Sequence, residues 1–180
     1  MSRSVRWSLV LATTVGVYAT LPAGPSAWRA FRGVTGVWSD YAAVVTMTVI
    51  ALLVVRSQRE QIRQLRSGGW VAIAVAMAVW AGGVTSSDLT PAEKTHFLTY
   101  GFLAWVVLRA LDLESSSSRR YLAAVLIVGA LGWIDEGIQY LLPRRYFEWK
   151  DVWLNLVSGA AVVLVIAALR GEFSGFRRVA

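Results

Sequence analysis

This sequence predicts an all-α polytopic membrane bundle of about six spans, on three observations. Apolar residues make up 56% of the 180 and mean hydropathy is +0.53, well above a soluble globular average. Long apolar runs follow one another, and none alternates with the period of two expected of a membrane barrel. Basic residues and Trp gather at the ends of those runs. Trp7, Trp28, Trp38, Trp70, Trp149 and Trp153 all lie near span ends, where indole rings anchor at head-group level.

The same pattern excludes other classes. A net charge of +7 does not point to nucleic acid, because the Lys and Arg residues flank apolar runs and form no basic amphipathic face. At such places they set topology and meet anionic head groups. The chain has no Cys, so it has neither a disulfide framework nor thiol chemistry.

Taken in order, the first run is Trp7–Leu21, preceded by Arg3 and Arg6. It reads as a retained span. The rival reading is a cleaved signal peptide, which would leave five spans, but Pro25 stands where a small residue is wanted in Pro25-Ser26-Ala27. The second span is Val37–Val55, with Asp40 near its end as a lone interfacial acid or a further site member. The basic loop Arg56–Arg66 leads to the third, Gly69–Val84. The polar loop Ser86–Lys94 precedes the fourth, His96–Leu111. The loop Leu113–Arg120, with its Ser115–Ser118 run, reads as a flexible connection. The fifth span, Tyr121–Leu142, is interrupted by Asp135 and Glu136. The loop Pro143–Asp151 leads to the sixth, Val152–Leu169. Residues 1–68 thus hold two helices and a basic loop, 69–170 a four-helix membrane domain, and 171–180 a basic tail. Gly82, Gly83, Gly129, Gly159, Ala160 and Ala161 are the expected close helix–helix contacts.

Orientation follows from the basic residues. One side carries Arg3, Arg6, Arg56, Arg59, Arg63, Arg66, Arg109, Arg119, Arg120, Arg170, Arg177 and Arg178; the other carries Arg29, Arg32, Lys94, Arg144, Arg145 and Lys150. The excess on the first side puts both termini in the cytoplasm.

Ionisable groups inside apolar spans are kept where they pair, face a cavity or carry function. Asp135 falls about 21 Å along the fifth helix at 1.5 Å per residue, roughly 10 Å below the outer boundary of a 30 Å core. Asn155 lies one turn below Asp151, and His96 and Tyr100 open the fourth span. Three helices therefore bring polar groups to a similar depth in the outer leaflet. Gln139 lies on the side of Asp135 and Glu136; Asp151, Asn155 and Gly159 form an i, i+4 stripe, as do His96 and Tyr100.

That cluster can hold a proton on one of two adjacent carboxyls and supply a His–carboxylate base. Lys94, Arg144, Arg145 and Lys150 could hold a phosphate or pyrophosphate at the surface. The plainer reading of Arg144, Arg145 and Lys150 is interface anchoring. A structural His96 stands equal to a catalytic one, and Asn155 suits an interhelical hydrogen bond. One His with scattered acids is a weak metal signal, so no metal site is assigned, and no cofactor is legible.

At these residues the sequence resembles the VanZ-like membrane proteins. Asp135-Glu136, Gln139, Pro143, Arg145, Phe147 and Asp151, then Asn155 and Gly159 at four-residue steps, follow that family's signature. Upstream, Glu93-Lys94-Thr95-His96-Phe97 with Tyr100 is similar to its acid-Lys, His-Phe and Tyr segment. The resemblance covers Gly69 to Arg170. It departs from the usual pattern in having one residue fewer between Lys94 and His96, and in Arg144 where a Gly is usual.

The resemblance implies a multi-pass protein of the bacterial plasma membrane that modulates cell-envelope or lipid-linked intermediates, and with them teicoplanin susceptibility and so antibiotic resistance. The expected catalytic candidates are His96, Asp135 and Glu136; the expected ligand-binding residues are Lys94, Gln139, Arg145, Asp151 and Asn155. Membrane lipids and a lipid-linked or glycopeptide-related ligand are the expected partners, and nucleic acid is not. Two other classes stay open: an enzyme acting on a lipid phosphate or glycolipid, and a non-catalytic scaffold. A transporter is weaker, for the chain carries no inverted repeat or broken-helix pattern.

Overall fold

A computed structural model describes residues 2–112, 114, 118–143 and 145–173. Arg144, Arg177, Arg178 and most of the Ser115–Ser118 run lie outside the described residues, as does the side chain of Asp40. The described residues form nine α-helices and one 3-10 turn, with no strand. Each apolar run of the sequence is a helix: α1 (Arg3–Thr20), α3 (Ser39–Ser57), α5 (Ser67–Thr85), α7 (His96–Leu111), α8 (Arg119–Tyr140) and α9 (Trp149–Leu169). Three short helices were not legible as such: α2 (Gly24–Thr35), α4 (Arg59–Arg63) and α6 (Pro91–Lys94). Each lies in a polar connection, where no apolar run announces it.

Two helices, α8 and α9, are long and apolar enough to cross a membrane on their own. The chain turns by 72° between α1 and the segment Gly24–Trp38, and that bent pair passes the same test only when taken together. Shorter apolar helices run over Val44–Ser57 and Ser67–Gly83. The 16 residues of α7 rise about 24 Å, less than a hydrocarbon core of about 30 Å.

Helix α7 is the centre of the bundle. Leu103, Ala104, Val107, Leu108 and Ala110 are buried on it, and α1, α8 and α9 pack around it. Ala124 and Val128 from α8, Val163 and Ala167 from α9 and Val10 from α1 complete the core. Helix α5 packs on α9, while α3 lies at the periphery against α6. Gly159 lets α8 come close: a Cβ there would lie 2.8 Å from Val128 Cγ1. Gly82, expected at such a contact, meets nothing within 4 Å, because its side of α5 turns away from the bundle.

One end of the bundle is tied by charge. Asp112, the C-cap of α7, accepts two hydrogen bonds from Arg170 at the end of α9, each 2.8 Å. Arg120 of α8 lies 3.4 Å from the same carboxylate and 3.1 Å from Glu172. Tyr121 OH donates to Glu172 at 3.0 Å, and both arginines lie over its ring.

Candidate functional site

The opposite end, where α7 and α9 begin and α8 ends, holds the polar cluster. Asp135, Glu136, Gln139, Asp151 and Asn155 are all buried there, and His96 is half-buried. On α8 the spacing of Asp135, Glu136 and Gln139 turns all three inward. On α9 the same holds for Asp151, Asn155 and Gly159.

The contacts are specific. Tyr100 OH donates to Asp135 Oδ2 at 2.6 Å. Gln139 Nε2 donates to Glu136 Oε1 at 2.7 Å, and the Glu148 backbone N–H donates to Glu136 Oε2 at 3.2 Å. The two acids adjoin in sequence yet serve different neighbours. Asp135 faces α7, and Glu136 faces the loop that starts α9. Asp135 Oδ1 is buried with no hydrogen-bond partner.

Asn155 sets the state of His96. Its Nδ2 donates to the Gly132 carbonyl at 3.5 Å, which turns Oδ1 toward the imidazole. His96 Nδ1 therefore carries the proton and donates to Asn155 Oδ1 at 2.5 Å. In the neutral form of the ring that leaves the lone pair on Nε2. The ring stacks on Tyr100, centroids 5.9 Å apart and planes 6° off parallel. Gly132 makes this approach possible, for a Cβ there would lie 2.6 Å from Asn155 Cβ.

The cationic candidates divide. Arg145 is half-buried in the loop after α8, and its charge reaches Asp135 and Glu136. Among the described residues no hydrogen bond or ion pair joins Lys94 to the cluster. Lys150 pairs with Glu93 at 2.5 Å and approaches Glu148 at 3.9 Å, so it is not an uncommitted phosphate ligand. The spacing in the sequence could not reveal this, because Glu93 and Lys150 meet only when α6 docks on the start of α9.

Glu93 does two jobs. Its Oε2 accepts from the Thr90 backbone N–H at 2.5 Å while its own N–H donates to Thr90 Oγ1 at 3.2 Å, which closes a capping box on α6. Burial pushes its carboxyl up, but hydrogen bonds from Lys150 and Thr90 outweigh that and hold it below its ordinary value.

Two contributors were missing from the sequence candidates. Tyr18 of α1 donates to the Leu131 carbonyl at 2.7 Å. Glu148 stands at the N-cap of α9 beside Asp151. Tyr18 sat in a run with no charged residue. Glu148 looked like one loop acid among several.

The arrangement offers an imidazole held through Nδ1 by Asn155, three buried carboxyls and one nearby guanidinium. The curated proteins and the solved structures gave no match to this chain. The VanZ/LLP1 family matches residues 41–170, which takes in α3 as well as the helices from Gly69 onward. With that match over well over half its length, in a stretch that includes His96, Asp135, Glu136 and Asn155, the chain belongs to the VanZ/LLP1 family.

Proposed function

We propose that this VanZ/LLP1 protein is a multi-pass protein of the bacterial plasma membrane that engages a lipid-linked envelope intermediate and thereby lowers teicoplanin susceptibility. In this reading α1, α3, α5, α7, α8 and α9 cross the bilayer, both termini lie in the cytoplasm, and the polar cluster opens to the outer leaflet. Local thinning and snorkelling of flanking residues accommodate the shorter helices. The observation that carries the reading is the burial of Asp135 and Glu136, each 1% exposed, beside His96 and Arg145. Acids on a membrane helix are retained where they meet partners or a ligand. Arg145 and Lys94 would hold the anionic head group, and Gln139, Asp151 and Asn155 would order the pocket.

The test is teicoplanin susceptibility of a sensitive bacterial host making the natural chain, His96→Ala or Glu136→Gln at matched membrane levels. Protection by the natural chain, lost in both folded variants, is the expected result. Protection that survives both substitutions would make the cluster a structural scaffold. No protection by the natural chain would sever the glycopeptide link.

A second reading, catalysis on a lipid phosphate or glycolipid, is favoured by the contact of Asn155 with His96 Nδ1, which orients the ring and leaves Nε2 for a substrate. His96 would take a proton from the attacking hydroxyl or water, and Arg145 would hold the phosphate. Turnover of a radiolabelled lipid-linked precursor by the purified protein, abolished by His96→Ala, separates this reading from simple engagement.

A further inference from the structure

Where α6 meets the start of α9, oxygen atoms from Glu93, Glu148 and Asp88 converge around one ammonium, with the Asp151 carboxylate close to both glutamates. Glu93, Glu148 and Asp151 each bring a carboxylate oxygen within 4.8 Å of the other two. Lys150 Nζ lies 2.5 Å from Glu93 Oε1, 3.9 Å from Glu148 Oε2 and 3.4 Å from the Asp88 carbonyl oxygen. A single lysine does not balance three carboxylates at this spacing. Asp151 adds a second, independent sign. Its side chain is 9% exposed, it faces the two glutamates, and its Oδ1 is buried with no hydrogen-bond partner. A buried carboxylate oxygen without a partner is costly, and a cation among the three acids would satisfy it.

We propose that Glu93, Glu148 and Asp151, with the Asp88 carbonyl, form a calcium site in which the Lys150 ammonium is the built-in competitor. The donors are all oxygen, from carboxylates and a carbonyl, which selects a hard cation over zinc or copper. Coordination flexibility favours calcium. It accepts irregular sets of carboxylate and carbonyl oxygens, whereas magnesium demands near-ideal octahedral geometry and keeps several of its waters. The ligands come from three short segments: the turn before α6, α6 itself and the first turn of α9. An ion there would staple those segments together. The site shares Asp151 with the pocket proposed above, but calcium binding is read on the purified chain and does not depend on the envelope role.

The test uses the full chain purified in detergent and stripped with chelator, with thermal unfolding followed through its tryptophans and binding of radioactive calcium measured at equilibrium. In the natural chain calcium should raise Tm saturably, and magnesium should do so less. Lys150→Gln should bind calcium about tenfold more tightly, since one competing charge a few ångströms away is removed. Glu148→Gln, at a half-exposed and tolerant position, should bind more weakly, and Asp151→Asn should not bind. Absence of calcium binding in the natural chain, even if Lys150→Gln binds, would overturn the proposal and leave a plain lysine–carboxylate cluster. So would an equal calcium response in the natural chain and the folded Asp151→Asn and Glu148→Gln variants.

Discussion

Gly132 carries a constraint that no neighbouring residue shares. Any side chain there would strike the Cβ of Asn155, an atom that cannot rotate away. Asn155 would then lose its place between the Gly132 carbonyl and the imidazole, and His96 would lose the acceptor that fixes its tautomer. Gly132→Ala is expected to lower stability by about 1–3 kcal/mol, the usual range for overpacking. Gly82→Ala, on an open face of α5, is expected to be neutral or to gain up to about 1 kcal/mol from helix propensity. Thermal unfolding of both variants in detergent checks the contrast; equal behaviour would mean that the α8–α9 approach is looser than described. Asn155, Asp135, Glu136 and Gln139 were all legible as a polar set from their spacing. Gly132 was not, because a glycine in an apolar run carries no sign of which helix faces it.

At the scale of elements, α7 is a short helix held at both ends by its neighbours. Its C-cap Asp112 takes the fork of Arg170 and the flank of Arg120, so one carboxylate joins the ends of α7 and α9 to the start of α8. A bidentate guanidinium–carboxylate pair is stronger and more directional than a single ion pair. The groups are partly exposed, which screens them. In a double-mutant cycle of Asp112→Asn and Arg170→Gln, the coupling should be about 1 kcal/mol, read from denaturant or thermal unfolding. A coupling of zero would make the tie a passive surface contact. The sequence marked these residues only as topology signals. Their pairing depends on where α9 ends relative to α7, which no local pattern encodes. The position of α7 itself was fully legible, His96 to Leu111, because a mostly apolar run lies between the polar loops on either side.

Across the whole molecule, the bundle is layered around α7 with α3 at the edge, where Val45, Val49, Leu52 and Leu53 are exposed. A bilayer covers such a face in the six-span reading. That reading predicts sidedness. The natural chain has no Cys, so single cysteines report cleanly. Ser87→Cys and Tyr146→Cys should react with a membrane-impermeant maleimide in intact cells, and Gln61→Cys only after the membrane is opened. Labelling of all three, or of Gln61→Cys alone, would reverse or break the proposed topology. The charge asymmetry behind the prediction is a property of sequence. The 72° turn between α1 and the segment after it is not, since Gly24 and Pro25 announce a break but not its angle.

The sequence by itself determined that the chain is all-helical, where its six main helices lie, and which residues are too polar for their apolar runs. These follow from hydropathy and from the 3.6-residue period, both local. Only the tertiary structure decided that Asp135 serves Tyr100 while Glu136 serves the loop before α9, that Asn155 sets the tautomer of His96, and that Lys150 belongs to Glu93. Each of those pairings depends on the rotation and depth of one helix against another, which is fixed by glycine contacts and core packing spread across the whole bundle.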